Sequence, residues 1–300
     1  MKNNIKIAML GGDMRQLAVA KSLSLSYDDI RLWGISGASL YGADGISLYS
    51  DITGALEDAR FAVLPLPAST DGVSLNCPLL DGGERPKLSE IARRLSKDTA
   101  IIGGRIPDSF RCLAESEGIK VFDYFESEDF QVKNAYTTAE AAVSIAMNTL
   151  DRNIRGAKIA ITGYGRISKH LCSLLAAIGA DVTVAARKSS DIAWAESSGY
   201  KTVRILPNAN SLSVLQVGYD VIYNTVPHWL FDRDFLARVD KNTFIVDLAS
   251  APGGVDICAA KELGSNVSWA TSLPGKYAPR SAGELIAECV DRIIGEEAAL

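Results

Sequence analysis

The chain has 300 residues, 47% of them hydrophobic and 22% charged, with a formal net charge of −5. That length suits two domains better than one, and the composition excludes a disordered chain or a coiled coil. The acidic balance argues against nucleic acid as a partner, because binding it requires a basic face to displace phosphate counterions. Two histidines and five scattered cysteines, none in C-x-x-C or H-x-x-x-H spacing, argue against a metal centre and fit a reducing cytoplasm.

The opening segment, MKNNIKIAMLGGDMRQ, has too short an apolar stretch for a signal peptide. No run approaches the roughly 20 apolar residues of a spanning helix, so the expectation is a soluble cytoplasmic protein without a membrane partner. Short β-branched runs then alternate with amphipathic stretches, which predicts an α/β protein with parallel sheets. In the first half strands are expected over 5–10, 30–35, 46–50, 61–66, 99–103 and 120–123. A loop over 65–86, punctuated by Pro65, Pro67, Pro78 and Pro86, is far longer than an ordinary βα connection. It reads equally well as a mobile surface loop and as a flap over a substrate.

The stretch 136–153, YTTAEAAVSIAMNTLDRN, lacks glycine and proline and reads as a helical connector capped by Thr137 or Thr138. In the second half strands are expected over 158–162, 181–186, 201–206, 220–224, 243–247 and 267–272. Each half opens with strand, glycines and helix, so two doubly wound Rossmann-like domains are predicted: 1–140 for substrate and 141–280 for nucleotide. A last helix over 281–294, within the segment 281–300, is expected to return to the first domain.

The most informative motif follows the seventh strand. Gly163-Tyr164-Gly165-Arg166-Ile167-Ser168 stands between a hydrophobic strand and a helix, the context that a dinucleotide turn requires. Gly163 permits the tight turn and Gly165 lets a pyrophosphate approach helix N-terminal amides. Ser168 replaces the third glycine and is expected to loosen the helix–strand fit slightly. After the next strand an NAD site carries an acid for the ribose 2′-hydroxyl; here Arg187, Lys188 and Ser189 stand instead and suit a 2′-phosphate, which predicts NADP. The strand ends Thr225-Val226-Pro227 and Leu248-Ala249-Ser250, with Pro274 in the loop SLPGKYAP, complete the expected cofactor lining. That loop is expected to bring backbone groups and Lys276 to the same edge, the alternative being a simple Pro-Gly turn.

The motifs Gly11-Gly12-Asp13 with Arg15-Gln16, Thr137-Thr138-Ala139-Glu140, Gly163-Tyr164-Gly165-Arg166, Asn224-Thr225-Val226-Pro227, Asp247-Leu248-Ala249-Ser250 and Leu273-Pro274-Gly275-Lys276-Tyr277-Ala278-Pro279 together resemble the A-subunit family of the dipicolinate synthases. The resemblance spans nearly the whole chain. It implies an NADP-dependent oxidation of a dihydrodipicolinate-type ring to pyridine-2,6-dicarboxylate in the mother cell of a sporulating bacterium, with a flavoprotein-like B-subunit. A homo-oligomer is also expected. A planar dicarboxylate calls for cations, and Arg15, Arg105, Lys276 and Arg280 are the candidates, Arg15 and Lys276 being favoured by their strand-end positions.

For the ring proton, the candidate acceptors are His228, expected beside the nicotinamide, Glu140 and Asp13. His228 reads equally as a residue that packs against Trp229, and His170 as a packing or surface residue. The same domain plan also suits an NADP-dependent 2-hydroxyacid or keto-acid dehydrogenase, or a non-catalytic NADP-binding redox sensor.

Overall fold

A computed structural model describes residues 3–36, 44–206 and 212–298. The chain divides into two compact units, Met1–Asn134 with Ala278–Leu300, and Ala135–Tyr277. The first contains β1 (Asn3–Leu10), α1 (Met14–Leu23), β2 (Tyr27–Trp33), β3 (Ile46–Tyr49), α2 (Ile52–Leu56), β4 (Phe61–Val63), α3 (Leu88–Arg94), β5 (Ala100–Gly103), α4 (Asp108–Ser116) and β6 (Val121–Asp123). The long helix α5 (Glu128–Thr149) begins in this unit and continues into the second.

The second unit follows with β7 (Lys158–Thr162), α6 (Arg166–Ile178), β8 (Asp181–Ala186), α7 (Ser189–Ser197), β9 (Lys201–Arg204), β10 (Val221–Asn224), α8 (Arg233–Arg238), β11 (Phe244–Asp247), α9 (Ile257–Leu263), β12 (Val267–Trp269) and α10 (Leu273–Tyr277). The final helix, α11 (Pro279–Ala298), belongs to the first unit.

Each unit is a six-stranded parallel sheet, ordered β3-β2-β1-β4-β5-β6 and β12-β11-β10-β7-β8-β9. Counted from each unit's own first strand the two orders are the same. Chain direction across the sheet reverses between β1 and β4 and again between β7 and β10, which places a binding crevice at the carboxyl ends of those strands. The central strands are buried on both faces, as continuous apolar runs such as Ile7-Ala8-Met9-Leu10 and Ile159-Ala160-Ile161 require. Helix α11 packs on α1 so closely that a Cβ on Gly283 would stand 2.5 Å from the Ala18 Cβ. Tyr27 adds a hydrogen bond to Asp291 across the same unit at 2.7 Å.

Several local expectations are corrected. Helix α5 starts at Glu128, so Thr137 and Thr138 lie inside it and cap nothing; its first turn carries Glu128 and Asp129, and the Gln131 amide already donates to the Ser127 carbonyl. β4 ends at Val63 although the Leu64 amide still reaches Ile102, because Pro65 has no N–H to continue the ladder. The SLPGKYAP segment is not a turn but the short helix α10, with Pro274 in its first turn, where a missing N–H is tolerated. The middle of the 65–86 loop belongs to the core: Leu75 and Cys77 are buried, and the Asn76 carbonyl accepts from the Gly12 amide at 2.8 Å.

Candidate functional site

The second unit carries an open glycine turn. The Gly163 amide donates to the Ala185 carbonyl at 2.8 Å, and its φ of 83° bends the chain from β7 toward α6. A Cβ there would stand 2.9 Å from Thr225 Oγ1, so the turn is tight on its inner side. Gly165 is the N-cap of α6 with no side-chain cap, and a Cβ built on it meets nothing within 4 Å. No side chain at Gly165 caps the start of α6, and the space over that residue is clear, an arrangement suited to an anion at a helix N-terminus. Arg166 and Ile167 occupy the first two positions of α6.

Tyr164 turns its side chain into the protein, buried against Tyr200, with its hydroxyl 3.3 Å from Ser198 Oγ. Only its backbone belongs to the turn. Ser168 does not loosen the helix–strand fit: it is buried, and its Oγ lies 2.8 Å from Thr225 Oγ1, which in turn donates to the Thr162 carbonyl at 2.8 Å. The hydroxyl pair ties α6 to the ends of β7 and β10.

A buried polar network fixes the strand-end turns beside it. Thr162 Oγ1 donates to Asn224 Oδ1 at 2.6 Å, and Asn224 Nδ2 donates to Asp247 Oδ1 at 2.7 Å. Asp247 also accepts from the amides of Ala249 at 3.1 Å and Gly254 at 2.8 Å. Buried polar groups of this kind must be satisfied, and here each polar group specifies the path of a turn. Asn224 and Asp247 are consequently part of the scaffold, and Leu248 and Ala249 are buried with them, while Ser250 is exposed. Pro274 is also buried.

A cavity of about 430 Å³ within this unit is lined by Gly163, Ala186, Arg187, Lys188, Asp191 and His228, with apolar walls from Ile205, Val226 and Leu230. Arg187 and Lys188 are exposed, Lys188 is the N-cap of α7, and Ser189 opens that helix. His228 shares this cavity with Arg187 and Lys188, the residues that follow β8. Five lining residues escaped the sequence reading, Ala185, Ala186, Asp191, Ile205 and Leu230, of which Asp191 is an acid in the first turn of α7. Asp191 lies four positions past the specificity residue, and its signal is the helical start that faces it toward the same space. His170 packs edge-on to Tyr136 at 5.5 Å, Pro227 is exposed, and Glu140 is exposed on α5.

The first unit has a closed counterpart. Asp13 is the N-cap of α1 and accepts from the Arg15 amide at 3.0 Å. Arg15 is buried; its Nε and Nη2 donate to the two Asp13 oxygens at 2.9 and 2.8 Å, and Nη2 also donates to the Leu66 carbonyl. The favoured substrate cation is thus already committed to an internal pair. Near it, the Tyr124 hydroxyl is fully enclosed with no hydrogen-bond partner among the described residues, and burial pushes its acidity well below that of an ordinary phenol. Lys276 is exposed on α10, Arg105 is exposed after β5, and Arg280 pairs with Glu284 at 2.9 Å.

Residues 6–125 match the family model of the N-terminal domain of the dipicolinate synthase A-subunit. The dipicolinate synthase A-subunit of Bacillus subtilis (strain 168) is 28% identical over 297 residues, 99% of this chain and 98% of that one. The chain resembles the dipicolinate synthase A-subunit from end to end. The crystal structure of the dipicolinate synthase A-chain from Bacillus subtilis superposes with a TM-score of 0.84 at 27% identity, covering 100% of this chain and 98% of the other. The dipicolinate synthase A-subunit from Bacillus halodurans has the same fold, with a TM-score of 0.84 at 24% identity over 98% and 99% of the two chains. No helix among the described residues is long and apolar enough to cross a membrane, and no group of three or more potential metal ligands occurs there.

Proposed function

We propose that the chain is the nucleotide-binding subunit of a dipicolinate synthase, oxidising a dihydropyridine-2,6-dicarboxylate with NADP. The observation that carries this reading is the open glycine turn beside a cavity bearing Arg187 and Lys188, in a chain similar throughout to the dipicolinate synthase A-subunit. When bound, NADP supplies the hydride acceptor. A ring carbon loses a hydride, a proton leaves to a base or to water, and the ring becomes the aromatic pyridine dicarboxylate.

The residues fit such a cofactor. The uncapped start of α6 suits the pyrophosphate, the exposed Arg187 and Lys188 suit a 2′-phosphate, and Ile205, Val226 and Leu230 supply an apolar wall for the base. His228 shares the cavity of Arg187 and Lys188 and is assigned to that adenosine end, and Glu140 and Asp13 are then the candidate proton acceptors. Both oxygens of Asp13 already accept from Arg15, which leaves Glu140 as the proposed acceptor. A second subunit follows from the A-subunit designation of the relatives; its flavoprotein-like character, self-association, and residence in the mother cell of a sporulating bacterium complete the proposal through the family resemblance of the sequence.

The test is absorbance at 340 nm when the purified chain, NADP and the dihydropyridine dicarboxylate are mixed, with and without the second subunit. NADPH formation dependent on the ring substrate is the expected result. NADPH formed with a 2-hydroxy acid instead would identify the keto-acid dehydrogenase. NADP binding without NADPH in any mixture would identify a redox sensor.

A further inference from the structure

We propose that Arg105, resting on the Phe125 ring, anchors one carboxylate of the planar dicarboxylate on the first unit. The assignment rests on the substrate class proposed above. The cations near the carboxyl edge of the first sheet differ in what holds them. Arg15 is held by Asp13 and the Leu66 carbonyl. Arg111 lies 2.7 Å from Glu126 and 3.8 Å from Asp123. Arg105 is exposed, makes no ion pair among the described residues, and has its guanidinium 4.7 Å from the centre of the Phe125 ring.

The backbone under this pair is fixed by one buried carboxylate. Asp123, at the end of β6, accepts from the amides of Arg105 at 3.1 Å, Ile106 at 2.7 Å and Phe125 at 2.8 Å. The cation and its aromatic seat are therefore positioned by the same side chain. Arg105 holds a φ of 52°, in the left-handed region where glycine would sit without strain. The preceding residue has to be glycine, since a Cβ on Gly104 would stand 2.6 Å from the Tyr124 ring. The turn thus presents a bare backbone and then a strained arginine with an unpaired fork. Strain of this kind concentrates at ligand clamps, and a guanidinium on an aromatic ring keeps its N–H donors for a carboxylate.

The experiment titrates pyridine-2,6-dicarboxylate and pyridine-2-carboxylate calorimetrically into the full chain saturated with NADP, for wild type, Arg105→Gly and Arg105→Lys. Wild type should prefer the diacid. Arg105→Gly should bind it about 10- to 100-fold more weakly, as expected for loss of a bidentate charge-assisted contact, and should lose most of that preference. Its NADP affinity should be unchanged and its Tm equal or higher, because glycine accepts the left-handed φ, so weakened binding cannot be blamed on misfolding. Arg105→Lys should recover only part of the affinity, since an ammonium lacks the fork. Arg105→Gly binding the diacid within about twofold of wild type overturns the anchor while leaving the proposed function standing. Wild type failing to bind the diacid overturns both.

Discussion

The two units repeat one sheet order and open alike, with a buried strand, a pair of glycines and a helix, yet the two turns differ in what they leave exposed. In the first, the Gly12 amide is bonded to Asn76, a Cβ on Gly11 would stand 2.6 Å from Cys77 Sγ, and the Asp13 carboxylate caps α1. In the second, Gly165 has open space around it and α6 has no side-chain cap. A dinucleotide turn is therefore more than a strand–glycine–helix pattern. It also needs the amides at the helix start to remain unclaimed and the approach to them to remain clear. The first unit has filled both with its own loop and its own carboxylate.

The strongest way to break this contrast is to place the same side chain in both turns. Gly165→Val should leave Tm unchanged, since a Cβ there meets nothing, and should lower NADP affinity by about 100-fold or more by occupying the pyrophosphate's approach. Gly12→Val should do the opposite. Its φ of 96°, and the contacts a Cβ would make at 2.9 Å with Gln16 and 3.0 Å with Pro65, strain the folded state, with Tm falling by roughly 10 °C. Material that folds should bind NADP as wild type does. Equal loss of NADP binding in the two variants would mean that the first turn is not closed.

A smaller effect sharpens the chemistry of the open turn. Arg187→Ala should reduce the preference for NADP over NAD by about 10- to 100-fold in paired titrations, the worth of one charge-assisted contact to the 2′-phosphate. An unchanged ratio would assign Arg187 to solvent and leave the ribose to Asp191. The smallest effect concerns the replaced third glycine. Ser168→Ala removes the hydroxyl pair with Thr225 and should cost about 1 kcal/mol, a Tm decrease of about 2–4 °C measured by calorimetry. No decrease would show that the serine is merely a tolerated substitute.

Much of this was legible in the linear chain. The runs around Ile7 and Ile159 could only be buried parallel strands, and the alternation of strands and helices admitted few topologies. The glycine turn at 163–168 announced its own geometry, because its spacing follows from backbone sterics. Side-chain states were harder to read. Arg15 stands two residues from Asp13, and nothing in that spacing says whether the arginine faces a ligand or closes a pair. His228 follows a strand end, but which end of a nucleotide it meets depends on the lateral order of β7, β8 and β10. The long proline-rich loop reads equally as surface chain and as a flap, and neither reading contains its buried middle, since the burial of Leu75 and Cys77 comes from contacts with residues more than sixty positions away in β1 and its turn.

Local physics thus determined the elements, the parallel class and the one turn with the spacing of a dinucleotide site, since each follows from neighbours along the chain. Only the tertiary structure decided which glycine turn stays open, which arginine keeps an unpaired fork and which histidine shares a cavity with Arg187. Those outcomes depend on groups brought together from distant positions, and a hydrogen-bond donor's availability is set by what folds against it.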